Sequence, residues 1–194
     1  ETGETHGAIE SIPLLATDFR VLGRQSAGIV IMEFSDYACP YCIQHFTQTF
    51  PKLRERFIDN GVIQYRVKDF PLDSHPQARQ AASAAQCAGG QGAYWAMHDA
   101  LFLARGVYSE SLIDTLAKPK HFDAKAFKSC LEHQASSDWL AKDLGLAKSL
   151  GIDGTPAFVV GKIKQQRLVE YRVLSGVQSF ETFAGLIEGL QRQP

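Results

Sequence analysis

Two cysteines, Cys39 and Cys42, are separated by two residues in this sequence. Thiols at this spacing are close enough to form a small disulfide ring, and such a motif often carries a thiolate that is reactive in disulfide exchange. An apolar run, residues 29–34, precedes the motif, and apolar residues at helical spacing follow it. We therefore predict that Cys39 lies where a strand ends and a helix begins. The unpaired N–H groups and the dipole of a helix N-terminus stabilise a thiolate there and lower its pKa.

A zinc site is the main alternative for an isolated Cys-x-x-Cys motif, because such motifs form half of many zinc-binding sites. The other half would need two further ligands at paired spacing. Cys87 and Cys130 are far apart in the sequence, and His45 is the only histidine near the motif. We therefore expect neither a metal ion nor another cofactor, and we keep a metal-binding domain as a third hypothesis.

The 194-residue chain has a formal net charge of −1, which gives no reason to expect nucleic acid or an anionic membrane as a partner. No apolar run approaches the ~20 residues that span a bilayer. The polar N-terminal residues lack the apolar stretch of a signal peptide, so we expect either a cytosolic protein or one whose signal has been removed. The even number of cysteines, four, fits an oxidising compartment without proving one.

The pattern of elements changes twice along the chain. Two predicted strands, residues 29–35 and 62–70, flank a predicted helix, residues 40–60, in which Pro51 should introduce a kink. Such a βαβ unit implies parallel strands. After residue 73 only helices are predicted, until strands return near residue 157. The further predicted elements are an edge strand over 19–22, helices over 77–88, 93–103, 109–116, 124–133, 137–150 and 180–190, and strands over 157–160 and 168–174, joined by a loop over 161–166.

Glu33 is an acidic residue within the first of these strands. The alternation of side chains places it on the same face as Ile29 and Ile31, and the opposite face is also apolar. We therefore predict a largely buried carboxyl group, which without a partner would favour its protonated form. The alternative is an ion pair at the end of the strand, with Lys68 as the candidate partner.

Several segments of the sequence resemble the DsbA-like family of thiol–disulfide oxidoreductases. Residues 33–42, EFSDYACPYC, are similar to the active-site segment of that family, and Gly154-Thr155-Pro156 is similar to its cis-proline loop. Residues 70–76 and 93–99 resemble its helical domain. The resemblance covers nearly everything from residue 20 onward.

The resemblance implies an α/β protein with a thioredoxin fold and an inserted all-helical domain. We predict that residues 1–72 and 137–194 form a discontinuous thioredoxin-like domain. Residues 73–136 are predicted as the helical insertion, because the all-helical block lies between two halves that contain strands.

The resemblance also implies roles for the residues of the motif. Cys39 is expected to be the attacking thiolate, with its sulfur facing solvent, and Cys42 the more buried resolving thiol. Pro40 and Tyr41 are expected to set the local dipole environment of Cys39. Glu33 matches the buried acid of the family, which accepts or relays the proton of Cys42.

Thr155 and Pro156 are expected to form a cis peptide bond packed against the active-site cysteines. General X-Pro statistics favour a trans bond, and only the family resemblance reverses this expectation. The Thr155 backbone would then be free to pair with an extended substrate by β-addition.

Cys87 and Cys130 remain as a second pair, on two predicted helices of the insertion. We predict a structural disulfide between them, which would stabilise the fold by ~3–4 kcal/mol because it closes a long loop. Two separate buried thiols are the alternative.

The resemblance predicts a periplasmic or secreted enzyme that introduces or exchanges disulfides in reduced or misfolded extracytoplasmic polypeptides, with a DsbB-like or VKOR-like membrane protein as redox partner. We expect a monomer. Tyr41 stands where the best-known oxidases have histidine, and with Thr155 it also resembles the isomerase and reductase branch of the family. That branch has a separate dimerisation domain, which this sequence lacks, so an oxidase is favoured. A disulfide isomerase or reductase, and a redox-inert polypeptide-binding module, are the alternatives.

Overall fold

A mixed sheet of six strands forms the centre of the computed structural model, which describes residues 9–15, 18–108, 123–133 and 138–192. The order of the strands is β1-β6-β5-β3-β4-β2. Strands β3 and β4 are parallel, and all other neighbours in the sheet are antiparallel. The strands are β1 Ile12–Pro13, β2 Val21–Leu22, β3 Ile29–Ser35, β4 Ile63–Asp69, β5 Ala157–Lys164 and β6 Arg167–Ser175. Together with the helices described below, this sheet confirms the predicted thioredoxin fold with a helical insertion.

Strand β3 is buried along its whole length because it lies between β4 and β5 and is covered on both faces. Its apolar residues therefore show no amphipathic alternation, as expected for a strand inside a layered α/β fold. Ile29, Ile31 and Glu33 point to one layer, while Val30 and Met32 belong to the core of the other. The strand ends immediately before the Cys-x-x-Cys motif.

A helical run, α1, covers residues 40–58 and packs on the face of the sheet that carries Ile31 and Tyr65. It alternates between α-helical segments, Pro40–Gln44 and Phe50–Leu53, and π-helical segments, His45–Thr49 and Arg54–Ile58. The first π-helical segment ends two residues before Pro51, whose missing N–H removes a regular helical hydrogen bond. Pro51 thus lies in a short α-helical segment between two π-helical segments, and the kink expected there stays a prediction.

The helices that follow β4 pack on the same layer as α1. Helix α2 is Ala78–Gly89, α3 is Tyr94–Leu103, and α4 is Ala124–His133. A disulfide between Cys87 and Cys130 joins α2 to α4. The helix predicted over 109–116 lies outside the described residues.

Helix α5, Asp138–Ser149, packs on the second face of the sheet, where Ile12 and Leu14 of the N-terminal segment also belong to the core. Ala147 and Leu150 pack against Val30 and Met32, and Ile12 completes this core. Helix α6, Phe180–Arg192, returns to the first face, where Phe183 and Ile187 are buried. The sheet is thus enclosed between two helical layers, which fixes the junction between β3 and α1.

The predicted loop over 161–166 is wrong, because β5 continues to Lys164 and turns directly into β6. Gln165 and Gln166 make the turn with positive φ angles of 49° and 58°. The polar residues of this stretch favour a loop, yet the backbones of Lys162, Ile163 and Lys164 pair with β6. At Gly161 the pairing register shifts, and an added Cβ would lie only 2.7 Å from the Cβ of Tyr171.

Candidate active site

Cys39 occupies the N-cap position of α1, and Pro40 is the first residue of the helix. The backbone of Cys39 is extended, with φ −71° and ψ 122°, so its side chain lies beside the free N–H groups of the first turn. The Cys39 carbonyl accepts a hydrogen bond from the N–H of Ile43, which closes that turn. Cys42 lies one turn further along, and both thiols are unbonded to any other cysteine.

The two cysteines differ in burial less than the sequence predicted. Cys42 is completely buried, but Cys39 is also buried, with only 3% of its surface exposed. The expectation that the Cys39 sulfur faces solvent is therefore wrong for this state. The loop before β5 covers it, since the Cys39 Sγ lies 3.5 Å from the backbone oxygen of Thr155. Tyr41, between the two cysteines in the sequence, is in contrast 62% exposed.

The pKa values of the two thiols move in opposite directions. The pKa of Cys39 is lowered to about 5, chiefly by a hydrogen bond from the Cys42 thiol, helped by the neighbouring side chain of Thr155 and by hydrogen bonds from the N–H groups of Cys42 and Tyr41. Burial raises the pKa of Cys42 well above its ordinary value, and the hydrogen bond to Cys39 and the nearby Glu33 add to this effect. The site therefore holds one stabilised thiolate and one protonated thiol.

The segment between β3 and the motif is held by Asp36, whose side chain is almost completely buried. Its carboxylate accepts hydrogen bonds from the N–H groups of Ala38 and Leu72, at 2.7 Å and 2.9 Å. A third contact, 2.8 Å, joins it to Nδ1 of His75. Ala38 lies just before the active-site helix, whereas Leu72 and His75 follow β4. Asp36 therefore joins these two segments and fixes the position of the backbone that leads into Cys39.

The Thr155–Pro156 peptide bond is cis and directly precedes β5. Pro156 is buried, whereas Thr155 is partly exposed. The hydroxyl oxygen of Thr155 is buried and has no hydrogen-bond partner within the described ranges. This loop therefore brings a backbone carbonyl and an unused hydroxyl to the side of Cys39.

Glu33 is buried, with 3% of its surface exposed, on the layer that contains Cys42. Its two carboxyl oxygens accept hydrogen bonds from Ser35, at 2.7 Å, and from the Tyr65 hydroxyl, at 2.5 Å. The alternative partner, Lys68, lies elsewhere: its ammonium group pairs with Asp18 and Asp143. Glu33 is thus a buried hydrogen-bonded acid rather than half of an ion pair with Lys68.

Sequence reasoning missed Tyr65 and considered His45 only as a possible zinc ligand. Tyr65 lies opposite Ile31 in the parallel register of β3 and β4, so its ring shares the layer of Glu33. His45 Nε2 lies 2.9 Å from the Tyr65 hydroxyl oxygen. The alternation of β4 could have placed Tyr65 on the correct face, but its pairing with Glu33 depends on a register that the sequence does not reveal.

The remaining side chains limit what else this site could hold. Within the described parts of the chain, no group of three histidine, cysteine or acidic residues is arranged to bind a metal ion. No helix among the described residues is both long enough and apolar enough to span a bilayer.

Comparison with known proteins shows what this arrangement is similar to. Residues 16–188 match the family described as Thioredoxin. The crystal structure of Wolbachia pipientis alpha-DsbA1 superposes with a TM-score of 0.78 at 26% sequence identity, covering 92% of each chain.

Two curated relatives differ in how much of their length is matched. A Bacillus anthracis protein named "Probable disulfide bond formation protein D" is 26% identical over 147 residues, which are 72% of this chain and 68% of that protein. The Salinispora arenicola protein named "Na(+)/H(+) antiporter NhaA 1" is 31% identical over 185 residues, 94% of this chain. The chain spans only 28% of that antiporter-named protein.

Proposed function

We propose that this chain, which belongs to the thioredoxin family, is a DsbA-like thiol–disulfide oxidoreductase that acts through Cys39. The observation that carries this proposal is the contrast between the two thiols of the motif. Cys39 at the helix N-terminus has its pKa lowered to about 5, while the pKa of buried Cys42 is raised. A low-pKa thiolate is both an available nucleophile and a good leaving group in disulfide exchange.

Oxidation of a substrate starts from the Cys39–Cys42 disulfide. A substrate thiolate attacks the Cys39 sulfur, the bond between Cys39 and Cys42 breaks, and Cys42 leaves with the electron pair and takes up a proton. A second substrate thiolate then attacks the substrate sulfur of the mixed disulfide and releases Cys39 as a thiolate. The substrate loses two electrons, and the enzyme is left as the dithiol.

The low pKa of Cys39 favours the last step, because it stabilises the departing thiolate. It also stabilises the reduced enzyme, which makes the oxidised form a stronger oxidant. This supports oxidation over isomerisation or reduction as the main direction, although Tyr41 lacks the imidazole that would stabilise the thiolate further. Pro40 and Tyr41 act here by placing the first helical turn and its N–H groups beside Cys39.

Other residues of the site support the same chemistry. The Thr155 backbone next to the cis bond lies beside Cys39, where an extended polypeptide could pair with it. Glu33, on the layer of Cys42, would accept or return the Cys42 proton. The substrates would be reduced or misfolded polypeptides outside the cytoplasm, in the periplasm or secreted, and a membrane redox partner would reoxidise the dithiol.

Trapping of the mixed disulfide tests this proposal. The oxidised chain is incubated with a synthetic peptide that contains two cysteine thiols, and peptide oxidation is followed together with covalent adducts. In Cys42→Ser, Cys39 should accumulate as an adduct with a peptide that carries a reactive disulfide, whereas Cys39→Ser should form no adduct. Unchanged activity in Cys39→Ser would contradict the proposal and favour a redox-inert binding module.

The reduction potential distinguishes the directions of exchange. Equilibration of the Cys39–Cys42 pair with glutathione should give a value well above that of thioredoxin, ≈ −270 mV. A value near that of thioredoxin would instead favour a reductase. Zinc bound at unit stoichiometry to the dithiol would support the metal-binding hypothesis.

A further inference from the structure

We propose that His45 and Tyr65 are positioning residues for proton exchange at Cys42, because they form one hydrogen-bonded chain with Glu33 that joins the active-site helix to the sheet. This inference rests on the proposed disulfide exchange and concerns only the step that Cys42 performs. It assigns a function to two buried side chains outside the Cys-x-x-Cys motif and the cis-proline loop.

The chain of contacts is continuous and shielded from water. His45 Nε2 lies 2.9 Å from the hydroxyl oxygen of Tyr65, and that hydroxyl donates to Glu33 at 2.5 Å. Ser35 donates to the other carboxyl oxygen of Glu33 at 2.7 Å. Only 3% of the surface of Glu33 and 1% of that of His45 are exposed, and Tyr65 is completely buried. Hydrogen bonds in so dry a place are strong and polarise one another.

A histidine at position 45 would be energetically unfavourable if its only role were to fill the core. Its ring packs 4.6 Å from Phe158 and 5.8 Å from Phe183, measured between ring centroids. Its Nδ1 is buried without a hydrogen-bond partner in the described parts of the chain. A phenylalanine would fill such an aromatic site without burying an unsatisfied nitrogen. His45 also begins the first π-helical turn, three residues after Cys42, and turns of this kind are frequent at functional sites.

The hydrogen atoms of the chain can be assigned from its contacts. When Glu33 is ionised it can only accept, so the single hydrogen of the Tyr65 hydroxyl points to it. His45 must then donate its Nε2 hydrogen to Tyr65, which leaves Nδ1 bare, in agreement with its lack of a partner. Burial lowers the pKa of His45, so the imidazole is neutral, as this assignment requires. His45 thus holds the Tyr65 hydrogen on Glu33 and stabilises the carboxylate that receives the Cys42 proton.

Other ionisable groups also face this chain. Cys42 on α1 and Tyr37, in the segment before it, are close enough to Glu33 for their charges to interact with it. From α3, His98 acts in the same way on His45, and Tyr94 on Tyr65. From β5 and α6, the apolar rings of Phe158 and Phe183 contact His45. Because these groups also act on the chain, the pH profile of the Cys42 step is compared with that of Cys39 alkylation and with that of a control variant.

The test separates the Cys42 step from the Cys39 step. A mixed disulfide between Cys39 and glutathione is prepared, and the release of glutathione by Cys42 is measured from about pH 5 to pH 9, the range in which carboxylates and thiols of active sites titrate. Alkylation of Cys39 by iodoacetamide is measured over the same range. Tyr65→Phe and His45→Phe remove the two hydrogen bonds, and Tyr171→Phe is the matched control, because the Tyr171 hydroxyl donates to the backbone oxygen of Ile9 on the second face of the sheet.

We expect both variants to move the pH midpoint of glutathione release upward, because the carboxylate loses stabilising donors. Release near neutral pH should slow about tenfold in Tyr65→Phe and severalfold in His45→Phe. Cys39 alkylation should keep its wild-type profile, and Tyr171→Phe should change neither. His45→Gln, which can still donate to Tyr65, should restore part of the release rate.

Two results would overturn this inference. If Tyr65→Phe left the pH profile of glutathione release unchanged, the hydrogen-bonded chain would have no part in the Cys42 step. This conclusion would hold even if His45→Phe failed to fold. Equal changes in the release and alkylation profiles would indicate a general effect on the site. The proposed function fails differently, since the wild-type mixed disulfide would then release no glutathione at any pH.

Discussion

Cys39 and Cys42 lie within one helical turn and are unbonded thiols, whereas Cys87 and Cys130 join two helices through a disulfide. The first pair is surrounded by groups that act on the charge of sulfur, namely helical N–H groups, the Thr155 loop and a buried acid. The second pair spans 43 residues and ties α2 to α4. The same side chain therefore serves disulfide exchange where its thiolate is stabilised, and serves stability where it closes a long loop.

The largest effect should come from removing Cys39. We expect Cys39→Ser to reduce the rate of peptide oxidation by at least about a thousandfold, because serine provides neither the nucleophile nor the disulfide. The rate is measured with a peptide that carries two thiols. The paired variant Cys87→Ala/Cys130→Ala should keep most of the wild-type rate. Similar losses in both variants would mean that the two pairs do not have separate functions.

For the stability of the fold, the two pairs of cysteines should exchange their importance. Removing both Cys87 and Cys130 should lower the free energy of unfolding by ~3–4 kcal/mol, since the long loop between them is no longer closed in the unfolded chain. Urea denaturation of the variant and of the wild type measures this difference. The double variant Cys39→Ser/Cys42→Ser is the control and should lose much less. A loss below about 1 kcal/mol for the first variant would contradict a structural role for the disulfide.

The features set by local sequence were predicted well. The junction between strand and helix at Cys39 and the burial of Glu33 follow from apolar runs and side-chain alternation. The order of elements also follows, because β3, α1 and β4 form one uninterrupted βαβ unit. The pairing of Cys87 with Cys130 could be predicted only because few cysteines were available.

The features that depend on tertiary contacts were not predicted. The hydrogen-bonded chain of His45, Tyr65 and Glu33 joins three elements, and its contacts depend on the register of β4 beside β3. The cover over Cys39 depends on the cis loop at Thr155, which the sequence indicated only through a family resemblance. A buried ion cluster, in which Arg20 contacts Asp69 and Asp143, likewise gave no sequence signal.

The pH dependence of the reactive pair provides the next test. The pKa of Cys39 is about 5 in the fold, below its ordinary value of 9.0. The thiolate therefore stabilises the folded reduced protein fully above pH 9.0, and this contribution decreases as the pH falls and is lost below about 5. The ultraviolet absorbance of the thiolate should rise with a midpoint near 5.

Two comparisons make this titration specific to Cys39. Cys39→Ser should remove the transition, while Cys87→Ala/Cys130→Ala should leave it in place. The oxidised protein should show no such transition, and its stability should depend less on pH over the same range. A midpoint close to 9.0 would mean that the helix N-terminus does not stabilise this thiolate.

The smallest expected effect concerns the side chain of Tyr41. Tyr41→His should lower the pKa of Cys39 by a fraction of a pH unit, because a protonated imidazole favours the thiolate but the side chain is 62% exposed and its charge is screened by water. The same change should make the Cys39–Cys42 pair slightly more oxidising, as measured by equilibration with glutathione. Leu15→His, at a residue that is 66% exposed on the second face of the sheet, is the matched control and should change neither quantity. If Tyr41→His left both quantities unchanged, the redox balance of the reactive pair would be set by the helix N-terminus and the Thr155 loop alone.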